Sequence, residues 1–117
     1  MLKTFNRAMR LEQCLHKEIA IIVRNFLRDP RIYSCVTILE VKLSSDLNYA
    51  KIFFTSLNLK DSQRNHLLTR ILQKSSGFIR FHLGKTIYLR TIPKLFFIYD
   101  DSFLQGITIS KILRDNL

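Results

Sequence analysis

Tryptophan is absent from this sequence, and glycine, proline and cysteine are scarce, with three, two and two residues respectively. A chain of 117 residues with so few helix breakers and 47% hydrophobic residues predicts one compact domain over residues 1–117. We expect its core over about residues 5–100, with residues 101–117 as a C-terminal extension. Cys14 and Cys35 show neither a close pair nor a repeated spacing, which argues against a disulfide framework and a zinc site. Both thiols are expected to be reduced and buried.

Long hydrophobic runs are also missing. The longest uninterrupted apolar runs, residues 19–23 and 95–99, have five residues each, whereas a membrane-spanning helix needs about 20. Basic residues precede any apolar block at the N-terminus, which is unlike a secretory signal. We therefore expect a soluble cytoplasmic protein without a membrane partner.

Acidic residues are few, because 9 Asp and Glu stand against 19 Lys and Arg, giving a net charge of +10. The excess is concentrated. Residues 57–94 hold eight basic residues and one acidic residue, whereas residues 32–56 hold two of each. A localised positive excess is expected of a protein that binds an anionic polymer, so nucleic acid is the leading class of partner.

The parts of an enzyme are lacking as well. The sequence has no Ser or Cys nucleophile with an identifiable base, no HExxH, no P-loop and no GxGxxG. Asp100 and Asp101 are the only adjacent carboxylates, and they follow an apolar run, where a turn or a helix cap is favoured over a metal site. His82 falls on the apolar side of a helical pattern and is expected to be packed. We predict a non-enzyme without catalytic residues, cofactor or metal.

What is present predicts alternating helices and strands. A first amphipathic helix is expected over about residues 5–27, ended by Asp29-Pro30. Two strands, over about residues 34–43 and 49–56, are expected to form an antiparallel hairpin. In the first strand the alternation predicts one shared face, formed by Thr37, Leu39, Val41 and Leu43.

The second half predicts two helices separated by a glycine break, and then a strand. The first of these helices is capped by Asp61 or Ser62, and the second is expected to end at Gly84. The run Leu95–Tyr99 predicts a buried third strand, followed by a short C-terminal helix. The fold class is therefore α+β, with helices packed on one face of a three-stranded sheet.

The break at residues 74–80 is the candidate binding element. A helix that starts there has free backbone N–H groups and a positive dipole end, which together suit a phosphate. Helical spacing places Arg80 opposite the apolar stripe, so we expect its side chain to point outward. For an isolated Ser-Ser-Gly, a plain loop between two core helices is the favoured explanation. On the first helix, the basic residues are explained either by a solvated face or by nucleic-acid contact.

The order helix, small-residue break, helix and strand resembles a KH domain of the type II arrangement, although Ser75-Ser76-Gly77 replaces the usual GxxG. Over nearly its whole length the chain is similar to the bacterial ribosome-binding factor A family. Several motifs carry this resemblance: Arg28-Asp29-Pro30-Arg31, Val36-Thr37-Ile38, Val41-Lys42-Leu43-Ser44-Ser45-Asp46-Leu47, Gly77-Phe78-Ile79-Arg80, Leu83-Gly84-Lys85 and Leu89-Arg90.

The resemblance implies a KH-like fold with a kink in place of the loop. It also implies binding to the immature small ribosomal subunit through ribosomal RNA, as a monomeric assembly factor in ribosome biogenesis and rRNA processing. The kink maps to Ser75, Ser76 and Gly77, and we expect Gly77 to set the bend. Sites implied for RNA are Lys74, Ser75, Ser76, Gly77, Arg80, Lys85 and Arg90, with Arg7, Arg10, Arg28 and Arg31 in addition.

Two other classes stay open on the residues alone. A general DNA-binding or nucleoid protein would use the same net charge and the same architecture. A protein-binding module with a basic surface would form complexes that salt does not weaken.

Overall fold

The computed structural model describes residues 7–25, 36–56 and 62–100. In chain order the elements are α1 (Arg7–Asn25), β1 (Val36–Leu43), β2 (Tyr49–Ser56), α2 (Ser62–Lys74), α3 (Ser76–Thr86) and β3 (Lys94–Tyr99). The predicted order is confirmed over these ranges, within which no helix is long and apolar enough to cross a membrane. The stop at Asp29-Pro30, Asp61, Cys35, Asp101 and the predicted C-terminal helix lie outside the described residues.

The three strands form one sheet in the order β1-β2-β3. β1 and β2 are antiparallel and are joined by the turn at residues 44–48, as predicted for the hairpin. β2 and β3 are parallel, and a parallel pair needs a long crossover. Residues 57–93 make that crossover, and α2 and α3 within it are placed against the sheet.

The predicted face of β1 is wrong because of a β-bulge. The register passes from Ile38 opposite Phe54 to Glu40 opposite Phe53, which leaves Leu39 without a partner. The extra residue reverses the alternation of the side chains. Ile38 and Val41 are therefore the buried residues of β1, whereas Thr37 is exposed.

All three described helices pack on one face of the sheet, as predicted. A single core cluster joins the apolar stripe of α1 to side chains of α2, α3 and alternate strand residues: Leu15, Ile19, Ile22, Val23, Leu68, Leu72, Ile79, Leu83, Ala50, Ile52, Phe54, Leu95 and Phe97. β3 is buried on that face only, because Phe96 between Leu95 and Phe97 is 45% exposed. The prediction of a buried third strand is confirmed for Leu95 and Phe97 and is wrong for Phe96.

Side chains of α1 and α2 form hydrogen bonds with backbone groups of β1 and β3, the two outer strands of the sheet. On β1, the N–H of Leu43 donates to the Glu12 carboxylate at 2.8 Å, and His16 Nε2 donates to the Ile38 carbonyl at 2.8 Å. On β3, the amide of Gln73 donates to the Leu95 carbonyl at 2.8 Å and accepts from the N–H of Phe97 at 3.0 Å. These bonds fix α1 and the last turn of α2 against the sheet.

Cys14 is exposed and free, so the prediction of a buried thiol at this position is wrong. It adjoins Leu15 on α1 but points to the solvent side of the helix, away from the core stripe.

Candidate nucleic-acid interface

The junction of α2 and α3 is a single residue, Ser75, whose backbone stays in the right-handed helical region at φ −84° and ψ 0°. Its N–H donates to the Ile71 carbonyl at 3.0 Å and its hydroxyl donates to the same carbonyl at 2.9 Å. The hydroxyl is thus engaged by the end of α2. It does not cap α3, and Ser75 acts as a positioning residue for the junction.

The N-terminus of α3 follows directly on this junction. The N–H of Ile79 donates to the Ser75 carbonyl at 3.0 Å. The N–H groups that precede it in the first turn of α3 have no acceptor within that helix, because a helix start lacks a preceding turn. The first turn carries no acidic residue, and Lys74 lies exposed just before it. This arrangement favours an anion at the helix terminus.

Gly77 does not set the bend. The interruption falls at Ser75, and Gly77 lies inside α3, where no glycine in the described residues has positive φ. A Cβ built on Gly77 would meet nothing within 4 Å. The predicted role in the fold is therefore wrong. What Gly77 provides is a bare backbone at the surface, in the first turn of α3.

Exposed aromatic side chains follow along α3. Phe78 is 43% exposed and Phe81 62% exposed, while Ile79 and Leu83 are the buried pair of the helix. The centroids of the Phe78 and His82 rings lie 4.4 Å apart, so His82 is a packed residue, as predicted. The Nζ of Lys85 lies 4.4 Å from the centre of the Phe81 ring. Aromatic rings next to cations suit unpaired bases.

The only available signal for these aromatics was helical position. At 100° per residue, Gly77, Phe81, Gly84 and Lys85 fall on one side of α3, away from Ile79 and Leu83. Phe78 stands at the margin of this side.

α3 continues past Gly84 and ends at Thr86, so the predicted end at Gly84 is wrong. Ile87 closes the helix by donating its N–H to the Leu83 carbonyl at 2.8 Å. Lys85 lies in the last turn, where a cation complements the negative end of the helix.

Arg80 is half-buried. The prediction that its side chain points outward is wrong. Its Nη2 donates to the Ile92 carbonyl at 2.9 Å, and its Nε is buried without a hydrogen-bond partner. The guanidinium therefore holds the loop between α3 and β3. A guanidinium has five N–H donors, so the bond to Ile92 leaves others for a phosphate.

The loop that Arg80 holds borders a surface cleft of about 290 Å³. The cleft is lined by α1, the hairpin turn and this loop, through Leu11, Asp46, Leu47, Asn48, Leu89, Arg90 and Thr91. Arg90 is exposed at this cleft. Arg7 and Arg10 are exposed on α1, and Arg7 precedes Leu11 by one helical turn, which places it near the same rim.

The hairpin side of the cleft is rigidly hydrogen-bonded. Asp46 accepts from the Ser44 hydroxyl at 2.6 Å and from the N–H of Asn48 at 3.0 Å. These two donors hold the pKa of Asp46 below its usual range. Leu47 takes a left-handed backbone with φ 62°, a conformation that costs a non-glycine residue about 1–2 kcal/mol. The turn thus keeps a negative charge and a strained leucine opposite Arg90.

The predicted basic residues divide into three groups. The exposed group comprises Lys74, Lys85, Arg90, Arg7 and Arg10, and the ion pair in the described ranges joins other residues, Lys42 and Glu40, at 3.9 Å. Arg80 is engaged by the chain itself, through the Ile92 carbonyl. Arg28 and Arg31 lie outside the described residues. The described part of the chain contains no group of His, Cys, Asp and Glu side chains arranged to hold a metal.

A three-stranded sheet covered on one face by helices, with a helix pair kinked at a small-residue junction, defines the class of KH-like domains. A sequence model of the ribosome-binding factor A family matches residues 7–113. The chain is 54% identical over 115 residues to ribosome-binding factor A of Buchnera aphidicola subsp. Cinara cedri, covering 98% of this chain and 99% of that protein. The chain belongs to the ribosome-binding factor A family.

Solved structures agree in fold. The crystal structure of ribosome-binding factor A from Thermus thermophilus superposes with a TM-score of 0.69 at 22% identity, over 79% of this chain and 93% of that chain. A homology model of the Thermus thermophilus factor, fitted into a cryo-EM map of its complex with the 30S subunit, gives a TM-score of 0.60 at 22% identity, over 76% and 90% of the chains.

Proposed function

We propose that this protein is a non-catalytic assembly factor that binds the immature small ribosomal subunit through ribosomal RNA and assists rRNA processing. The observation that carries the proposal is the α2–α3 junction, where the first turn of α3 lies between the exposed Lys74 and the aromatic side of α3. Backbone N–H groups and lysine position a phosphate, and Phe78 and Phe81 offer faces to unpaired bases. Membership of the family and the 30S complex of the Thermus thermophilus relative support the choice of partner.

The residues have different roles in this proposal. Lys74, Lys85 and Arg90 neutralise phosphates, the first turn of α3 at Ser76 and Gly77 approaches the RNA backbone, and Arg7 and Arg10 extend the basic surface along α1. Arg80 supports the loop that carries Arg90 and can offer its remaining donors. Arg28 and Arg31 are proposed contacts as well. We take the protein to act as a cytoplasmic monomer.

Co-sedimentation tests the partner. We expect the protein to co-sediment with free, immature small subunits but not with assembled ribosomes, and the complex to weaken steeply with salt. The variant Lys74→Gln/Lys85→Gln/Arg90→Gln is expected to lose at least tenfold in affinity with little change in the thermal midpoint. Lys17→Gln, on an exposed part of α1, is the matched control.

Three outcomes would contradict the proposal. Unchanged binding by the triple variant would remove these residues from the interface. Equal affinity for duplex DNA and for small-subunit RNA would favour the general nucleoid protein, and a salt-insensitive complex with a partner lacking nucleic acid would favour a protein-binding module.

A further inference from the structure

The face of the sheet opposite the helices carries an ordered pattern of aromatic and basic side chains. Tyr49 and Phe96 are each 45% exposed, with ring centroids 5.8 Å apart and planes inclined by 38°. Neither was singled out by sequence reasoning, which placed Phe96 in a buried strand. They form one continuous aromatic surface across β2 and β3.

Each of these rings has a lysine directly beside it on the neighbouring strand. In the parallel register Tyr49 lies opposite Lys94, and Phe96 lies opposite Lys51. Lys51 in turn lies opposite Lys42 of β1, and all three lysines are exposed. Like charges directly opposite each other destabilise a sheet. A bound anion would remove that cost.

We propose that this face, which we call the sheet platform (Lys42, Tyr49, Lys51, Lys94 and Phe96), binds single-stranded RNA. Two unpaired bases stack on Tyr49 and Phe96, and the lysines neutralise the flanking phosphates. The inference rests on the proposed function, because it assigns a second contact for the same class of partner. It lies on the other side of the sheet from the α2–α3 junction.

The charges favour RNA over other occupants. Glu40 is the exposed carboxylate among the described residues of this face, and it is already paired with Lys42. A second copy of this chain would place two sets of lysines against each other, which is repulsive. Addition of a strand from another protein is disfavoured because Glu12, His16 and Gln73 occupy groups at both outer strands. Duplex RNA keeps its bases stacked inside the helix, away from the two rings.

Fluorescence anisotropy with the full chain and a short unstructured RNA of about a dozen nucleotides tests the proposal. Tyr49→Leu/Phe96→Leu keeps apolar side chains and removes both rings, and we expect its affinity for this RNA to fall at least tenfold, with affinity for duplex RNA unchanged. Lys51→Gln/Lys94→Gln is expected to reduce the slope of log affinity against log salt by about 1.4, since each phosphate contact to a single strand contributes about 0.7. Tyr88→Leu, at a fully exposed aromatic residue, and Lys17→Gln are the matched controls. If the double leucine variant is unstable, Phe96→Leu alone serves.

The outcomes separate this inference from the proposed function. Unchanged single-strand affinity in the platform variants, together with lost subunit binding in the Lys74/Lys85/Arg90 variant, overturns the platform and leaves the proposed function intact. Unchanged binding in both sets overturns both. The wild-type protein could bind vesicles of anionic lipid as tightly as it binds the single-stranded RNA, with lipid binding lost in the platform variants. That result would assign the face to a membrane surface and overturn the proposal.

Discussion

Arg80 is the residue whose surroundings differ most from the sequence prediction. Because its guanidinium donates to the Ile92 carbonyl, we expect Arg80→Ala to lower the free energy of unfolding by about 1–2 kcal/mol. Lys85→Gln, at an exposed position of the same helix, should change it by less than about 0.5 kcal/mol. Urea denaturation of both variants measures the difference. Equal stability of the two would show that the bond to Ile92 contributes nothing.

Gly77 separates a structural role from a binding role. Since a Cβ at this position meets nothing within 4 Å and the residue is helical, we expect Gly77→Ala to raise the free energy of unfolding by up to about 1 kcal/mol. The added methyl stands at the surface of the first turn of α3, where we propose that the RNA backbone approaches, so affinity for small subunits should fall. Thermal melts of this variant measure its stability, and co-sedimentation measures its affinity for small subunits. A loss of stability would show that Gly77 has a role in the fold. Unchanged affinity would exclude close approach of RNA at this residue.

At the scale of elements, Gln73 connects the kink to the sheet. Its side-chain amide satisfies a carbonyl and an N–H of β3 at once, and Gln73 lies two residues before Ser75. We expect Gln73→Leu to destabilise the protein by about 1–2 kcal/mol, because both backbone groups lose their partner. Gln63→Leu, at an exposed position in the same helix, is the control.

Hydrogen exchange tells where the effect acts. The Gln73 variant should increase exchange at Phe97 before it increases exchange in the core of β2. Uniform acceleration over the whole sheet would show instead that Gln73 contributes only to global stability.

Over the whole molecule, the net charge of +10 destabilises the free protein through repulsion and strengthens its binding to RNA. Moderate salt screens the repulsion among the basic residues of the free protein, so its thermal midpoint should rise. The same salt weakens binding to RNA. Melting and binding measured in one salt series should therefore show opposite slopes. Parallel slopes would indicate that the positive residues are paired in the free state.

The order of elements could be predicted from the sequence, because amphipathic periods are local and strong in α1, β2 and α2. The faces of β1 could not, because the bulge at Leu39 depends on the register with β2. The candidate site was predictable as a charged segment around a helix break. The engagement of Arg80 by Ile92 and the exposure of Phe96 were not, because both depend on how distant elements pack.

The side chains on the outer strands have a consequence for the order of folding. Glu12 and His16 reach β1 across 31 and 22 positions of sequence, and Gln73 reaches β3 across 22 and 24. A hairpin forms within microseconds, whereas contacts between distant elements come later. During synthesis and refolding, strand groups therefore stay open to other chains until the helices dock, and this interval, more than the finished fold, is when the protein is vulnerable to aggregation.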